Sequence, residues 1–272
     1  DIFLSTMICL FSWQLSQFIF CVQIVLLLVL QFAKVLPRHV TLSLLTHHLL
    51  AMAVTVYIGP LSLTSLYSCL VMSATYVNRQ NAPAEGTWRH WALTAADIIS
   101  TQGWAITLRN WMNHNDDYSH ISNLLDAKLS SFRDFHTMLY ICSPEFDFLP
   151  YETYDIIVKT FLLPSAILGG YLALYYWYRC FKTRGYPECI EPGVAFNGLL
   201  TGAFIAMAVL VMRLKLFMTP HLCIIAGMVF SKRYLSLVKI RKEHLRVGLF
   251  VAIVAAMTFH GAKRVQDEKA NY

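Results

Sequence analysis

Apolar runs separated by short polar connections constrain this chain more than any other feature. A helix needs roughly 20 apolar residues to cross a bilayer core of about 30 Å. Runs near that length occupy 40–58, 61–77, 91–108, 158–178 and 193–212, with shorter ones at 217–231 and 246–260 that tilting or boundary shifts accommodate. Charged residues make up only 14% of the chain and hydrophobic ones 57%, with a mean hydropathy of +0.50. Soluble domains carry about 25% charge. The expected fold class is an all-α polytopic membrane protein, and an apolar soluble bundle is the discarded alternative.

The first apolar stretch needs a break. As one helix, residues 2–33 would reach roughly 48 Å, longer than a bilayer core. Ser12-Trp13-Gln14-Leu15-Ser16-Gln17 interrupts it. We expect the end of one span, a polar interfacial turn, and a second span from Phe18 to Phe32; a single tilted helix with a polar stripe is the alternative. The chain opens at Asp1 and is apolar from Ile2, with no initiator methionine and no basic leader. That start reads as a span cut in the middle rather than a signal peptide, so the chain is expected to be a fragment.

Gly59-Pro60 separates two spans as a helix breaker. The net charge of +6 comes from clusters on alternate connections: Lys34 and Arg38; Arg79 and Arg89; Arg179, Lys182 and Arg184; then Lys232, Arg233, Lys239, Arg241, Lys242 and Arg246. Such alternation is the positive-inside bias of membrane loops, not a nucleic-acid surface, and it marks these connections as cytosolic. The short loops on the opposite side carry only Arg213 and Lys215. The seven cysteines sit mostly inside apolar runs, which gives no disulfide framework, and none has zinc-ligand spacing.

The longest interval without an apolar run is Arg109 to Val158, and the same alternation puts it on the lumenal side. Ile121, Leu124, Leu125, Leu129, Phe132, Phe135 and Leu139 recur at helical spacing, which predicts a helix lying on the membrane surface. Ser119 or Ser122 is a candidate cap for it, and Ser131-x-x-Asp134 resembles a capping box. Pro144 and Pro150 bracket Glu145-Phe146-Asp147-Phe148, which leads back into the membrane near Ile156. The expected organisation is therefore transmembrane helices over 1–108, a lumenal interfacial helical segment over 109–157, transmembrane helices over 158–260, and the start of a lumenal tail over 261–272.

Chemistry has few candidate sites. Arg213 and Lys215 precede Thr219-Pro220, where Thr suits an N-cap and Pro the first helical turn. A helix starting there would aim its N–H groups and dipole at the surface beside two cations, a site for an anion such as a lipid phosphate. The bland alternative is snorkelling basic side chains. Glu145 and Asp147 are weak candidates to take a proton or hold a sugar hydroxyl, against solvated loop charges. Asp97 lies within a span and reads as a hydrogen-bonded structural acid rather than a transporter group. His47 and His48 point about 100° apart on a helix and cannot share a metal, so they are expected to be packed and hydrogen-bonded. His114, Asp116, Asp117 and His120 superficially resemble a metal cluster, but a two-residue acidic pair is weak and no metal is expected.

Three segments bring a known family into view. FSWQLSQF from Phe11 to Phe18, SHISNLLDAKLSSFRDFHTMLYICSPEFDF from Ser119 to Phe148, and MRLKLFMTPH from Met212 to His221 resemble, in that order, the dumpy-nineteen (Dpy-19-like) protein C-mannosyltransferases. The resemblance covers the later part of the family's membrane region. The family's first spans, first large lumenal loop and terminal lumenal domain have no counterpart.

The resemblance implies a GT-C type helical bundle in the endoplasmic reticulum membrane, with the inner nuclear membrane as the lesser alternative. It implies dolichyl-phosphate-mannose as the lipid-linked donor and no further cofactor. The acceptor would be the first tryptophan of Trp-x-x-Trp in nascent or unfolded polypeptides, mannosylated at indole C2. On this reading Arg213, Lys215, Thr219 and His221 bind the donor phosphate, and Trp13, Gln14 and Gln17 line the cavity. The family's usual base falls in the missing loop, so the catalytic residue stays unassigned. Trp88-Arg-His-Trp91 is itself Trp-x-x-Trp, but it falls on the cytosolic side and reads as an interfacial aromatic belt. A truncated or catalytically silent member with a scaffold or anchoring role is the alternative function.

Overall fold

In a computed structural model, residues 2–12, 16–58, 65–79, 142–184, 189–235 and 243–270 are described, with short stretches between 88 and 139. The described residues are helical, without strands. Four helices among them are long and apolar enough to cross a membrane: Arg38–Ile58, Pro192–Leu210, Met212–Phe230 and Val247–Asp267. A bent pair, Tyr151–Lys159 with Leu162–Thr183, makes a fifth if it counts as one span. The polytopic helical class is as expected.

The chain divides into two compact units, Asp1–Leu139 and Tyr140–Tyr272. The 144–149 stretch belongs to the second unit because backbone hydrogen bonds tie it there, as described below.

The first unit contains α1 (Ile2–Ser12), α2 (Ser16–Phe32), α3 (Arg38–Ile58) and α4 (Leu66–Arg79). Two helices are described in the first apolar stretch, and residues 13–15 between them lie outside the described residues. Helix α1 packs on α3, and α4 packs on both α2 and α3. Leu10, Ile24, Leu45, Met52, Tyr67 and Val71 fill the core between them.

Helix α2 ends in a Schellman motif: Lys34 N–H donates to Gln31 O at 2.9 Å and Val35 N–H to Leu30 O at 3.0 Å. Lys34 holds the left-handed position, φ 55°, that glycine usually takes.

Several polar side chains inside this unit pair with one another. His48 is buried, and its Nδ1 lies 3.0 Å from the Tyr67 hydroxyl, with Phe20 edge-on to its ring at 5.4 Å. His47 Nδ1 lies 2.7 Å from the Ser43 carbonyl. The expected packed, hydrogen-bonded histidines are what the fold contains. At the α2–α3 end, Gln31 Nε2 donates to Asn78 Oδ1 at 2.7 Å, and Arg38 donates through Nε and Nη2 to the Asn78 carbonyl at 3.0 and 2.6 Å. The Arg38 contact satisfies a carbonyl in the last turn of α4 with a cation, where the helix dipole favours one.

The second unit opens with a 3-10 turn, Pro144–Phe146, followed by α5 (Tyr151–Lys159), α6 (Leu162–Arg184), α7 (Pro192–Leu210), α8 (Lys215–Gly227), α9 (Lys232–Leu235) and α10 (Glu243–Ala270). Short 3-10 turns, Met212–Leu214 and Met228–Phe230, extend α8 at both ends. The expected span at 158–178 begins later, at Leu162, because the chain breaks at Thr160 and Phe161. Phe161 has φ 58°, and α5 and α6 meet there at 71°. Helix α10 continues to Ala270, past the expected end at 260. At about 1.5 Å per residue it is roughly 42 Å long, more than the bilayer core requires.

Helices α6 and α8 meet through small residues. Ala166, Gly169 and Ala173 recur along one face of α6, and a Cβ on Gly169 would lie only 2.2 Å from the Ile225 carbonyl oxygen. In lipid, where apolar surface is matched by lipid tails, close backbone approach of this kind supplies the packing that holds helices together. On the other side of α8, Phe204 of α7 stacks on Phe217 at 5.5 Å. At the α9 end, Arg233 pairs with Glu191 at 2.7 Å and lies over Tyr176, while the Tyr234 ring meets Tyr176 edge-on. Burial, with the Glu191 carboxylate adding to it, pushes the Tyr234 phenol pKa up.

Candidate functional site

Arg213 and Lys215 lie at the start of α8, and the helix begins at the lysine itself rather than at Thr219-Pro220. The reason is the buried face. Leu214, Met218, Leu222 and Ile225 recur at helical spacing and are all buried, so packing carries the helix upstream through Pro220. Thr219 is therefore one turn inside the helix, and its hydroxyl donates to the Lys215 carbonyl at 2.9 Å. The expected Thr219 N-cap is not formed. The 3-10 turn Met212–Leu214 and Lys215 form the amino end instead, so the two basic side chains stand at the helix start.

His221 also departs from the expected grouping. Its ring packs on Phe204 at 4.9 Å, and its Nδ1 is buried without a hydrogen-bond partner among the described residues. It takes part in the α7–α8 packing.

A third side chain joins the cations from far away in sequence. Glu145 Oε2 lies 3.5 Å from Arg213 Nη1, and the Arg213 guanidinium stands over the Phe146 ring, 5.8 Å from its centroid. Backbone bonds hold the two segments in register. Met212 N–H donates to the Asp147 carbonyl at 2.9 Å, and Leu149 N–H donates to the Val209 carbonyl at 3.2 Å. Asp147 turns its carboxylate to its own loop, where Oδ1 accepts the Phe148 N–H at 2.7 Å. Of the two acidic candidates, Glu145 is the one that faces a cation.

This site is open. The Arg213 and Glu145 side chains are 43% and 59% exposed, so the ion pair is screened by solvent and stabilises by about 0–1 kcal/mol at most. Lys215, two residues further on, is half-buried. Two cations and one weakly held acid near a helix start can accept an anion at little cost in broken contacts.

Sequence reasoning missed the Glu145–Arg213 contact and the role of Phe146. Both loops were expected on the lumenal side with opposite charge, and that was the available signal. Gln17 lies half-buried on α2 in the first unit. Trp13 and Gln14 are outside the described residues, as are Asp97, Trp91, the His114–His120 acidic cluster, and the capping positions Ser119, Ser122, Ser131 and Asp134. Trp88 is 80% exposed.

Known proteins resemble this chain along its length. C-mannosyltransferase dpy-19 of Caenorhabditis elegans is 29% identical over 272 residues, covering 94% of this chain and 39% of that protein. Protein C-mannosyl-transferase DPY19L1 of Mus musculus is 28% identical over 298 residues, covering 97% and 37%. The Caenorhabditis briggsae C-mannosyltransferase dpy-19 is 36% identical over a shorter stretch of 159 residues, 56% of this chain. The chain thus spans about two fifths of the length of the first and second of these relatives. The family model described as Dpy19, Q-cell neuroblast polarisation, matches residues 1–272, and with it the chain belongs to the Dpy19 family.

Proposed function

We propose that this chain is the part of a protein C-mannosyltransferase that receives the phosphate of a lipid-linked mannose donor. The observation that carries the proposal is the whole-length match to relatives named as C-mannosyltransferases, with Arg213 and Lys215 paired at a helix start inside one of the resembling segments. The donor is dolichyl-phosphate-mannose and the acceptor is the first tryptophan of Trp-x-x-Trp in a polypeptide entering the endoplasmic reticulum. The protein sits in that organelle's membrane with Arg213 facing the lumen.

In the reaction, indole C2 attacks the anomeric carbon and a carbon–carbon bond forms. The bond from C1 to the phosphate oxygen breaks, and its electrons pass to dolichyl phosphate. A base then takes the C2 proton and the indole regains its aromaticity. The phosphate gains negative charge as the bond breaks, so cations that meet it there stabilise the transition state more than the ground state. Arg213 supplies a planar fork for two phosphate oxygens, and Lys215 supplies a point charge. The residue that acts as base stays unassigned.

The test uses full-length protein co-expressed with a Trp-x-x-Trp acceptor. Arg213→Ala is expected to cut mannosylation by about 10² or more, read as loss of the hexose mass on the tryptophan peptide. Full mannosylation by that variant would remove Arg213 from the mechanism. No mannosylation by the unaltered full-length protein would leave the scaffold reading in its place.

A further inference from the structure

The donor and the lipid product of the proposed reaction differ by up to one charge, and the site contains a group that senses charge. Dolichyl-phosphate-mannose is a phosphodiester with one negative charge. Dolichyl phosphate is a monoester, with a charge of about −1.5 to −2 near pH 7. A site built only from Arg213 and Lys215 would hold the product more tightly than the donor, and turnover would stall on release.

Glu145 changes that balance. Its carboxylate lies 3.5 Å from Arg213, within the space that a phosphate on the same guanidinium would share. It is 59% exposed, so it can swing aside and return without disturbing packing. The surrounding backbone is held independently of it, through the Met212–Asp147 and Leu149–Val209 bonds. Phe146, under the guanidinium, keeps Arg213 near the turn while Glu145 exchanges with an anion. Asp147 is engaged elsewhere, its Oδ1 accepting the Phe148 N–H.

From this geometry we infer that Glu145 is a specificity-determining residue that favours the singly charged donor over the more highly charged product at Arg213, and so speeds release of dolichyl phosphate. The inference rests on the donor-phosphate reading proposed above. Repulsion from Glu145 scales with the charge on the ligand. The product is disfavoured by the larger amount, and Glu145 re-forms its pair with Arg213 as the product leaves.

The measurement is product inhibition of full-length protein, taking the ratio of the Ki for dolichyl phosphate to the KM for dolichyl-phosphate-mannose. Glu145→Gln keeps the shape and removes the charge. It is expected to lower the ratio about fivefold, the effect of one charge acting at roughly 4 Å in a water-like medium. Glu145→Asp keeps the charge and is expected to stay within about twofold of the unaltered protein on the same Coulomb estimate.

An unchanged ratio in Glu145→Gln, or an equal fall in Glu145→Asp, overturns the inference. If Arg213→Ala still raises the donor KM in that case, the donor site itself stands. If Arg213→Ala leaves the donor KM unaltered, both the site and the inference fall.

Discussion

The His48, Gln31 and Arg38 contacts of the first unit and the Arg213–Glu145 pair of the second use polar side chains in opposite ways. In the first, His48 pairs with Tyr67 and Gln31 with Asn78 in the interior, and the half-buried Arg38 meets the carboxyl-terminal turn of α4. In the second, Arg213 and Glu145 are exposed and meet at 3.5 Å, at the long limit of an ion pair. A buried hydrogen bond in a membrane helix bundle is costly to leave unmade, so it fixes packing. A loosely held surface pair is cheap to break, so it can be exchanged for a ligand. The difference separates polarity that holds the fold from polarity available for chemistry.

The largest expected effect is on the second unit's chemistry. Losing the Arg213 guanidinium is expected to lower kcat/KM for the donor by about 10² or more, as for other preorganised donors to a developing anion. Melting in detergent micelles is expected to change little, because the side chain is 43% exposed. A large drop in melting temperature would blur the comparison by making Arg213 structural.

Gly169→Val breaks packing instead. With the Ile225 carbonyl oxygen 2.2 Å from the added Cβ, α6 and α8 must separate, at a cost of about 1–3 kcal/mol or more. A melting temperature equal to that of the unaltered protein would contradict the close approach of these helices.

Tyr67→Phe sharpens the comparison from the other side. It leaves His48 Nδ1 without the hydroxyl that now sits 3.0 Å away, and is expected to cost about 1 kcal/mol of stability with mannosylation retained. Loss of transfer without loss of stability would make this pair functional after all. The smallest effect is expected at Lys34→Gly, which relieves the left-handed residue of the Schellman turn. It should raise stability by roughly 0.5–1 kcal/mol, read as a slightly higher melting temperature.

How much of this was legible in the sequence follows from how local each signal is. Ser12 to Gln17 announced the break between α1 and α2, because polar residues inside an apolar run are unfavourable unless the helix stops. The His47–His48 pair was legible from helix geometry alone. Thr219-Pro220 misled, since it is a good local start signal. The buried face of Leu214, Met218, Leu222 and Ile225 outweighed it and moved the helix start to the cations. The same apolar pattern could have been counted upstream of the proline. The Phe161 bend was not legible, because a phenylalanine rarely takes a left-handed conformation and nothing nearby marks one. Glu145 beside Arg213 was not legible either, since backbone bonds between distant segments create that contact and leave no periodic trace.

The most direct test of the donor-phosphate site compares two residues of one motif that the fold assigns to different tasks. In full-length protein, the kcat/KM for dolichyl-phosphate-mannose is measured for Arg213→Ala and for Thr219→Val at a fixed Trp-x-x-Trp peptide concentration. The predicted result is a fall of about 10² or more for Arg213→Ala. Thr219→Val, whose hydroxyl only satisfies the Lys215 carbonyl, should stay within about threefold, the worth of one net hydrogen bond. Equal falls in the two variants, or none in Arg213→Ala, would contradict the assignment of the donor phosphate to Arg213.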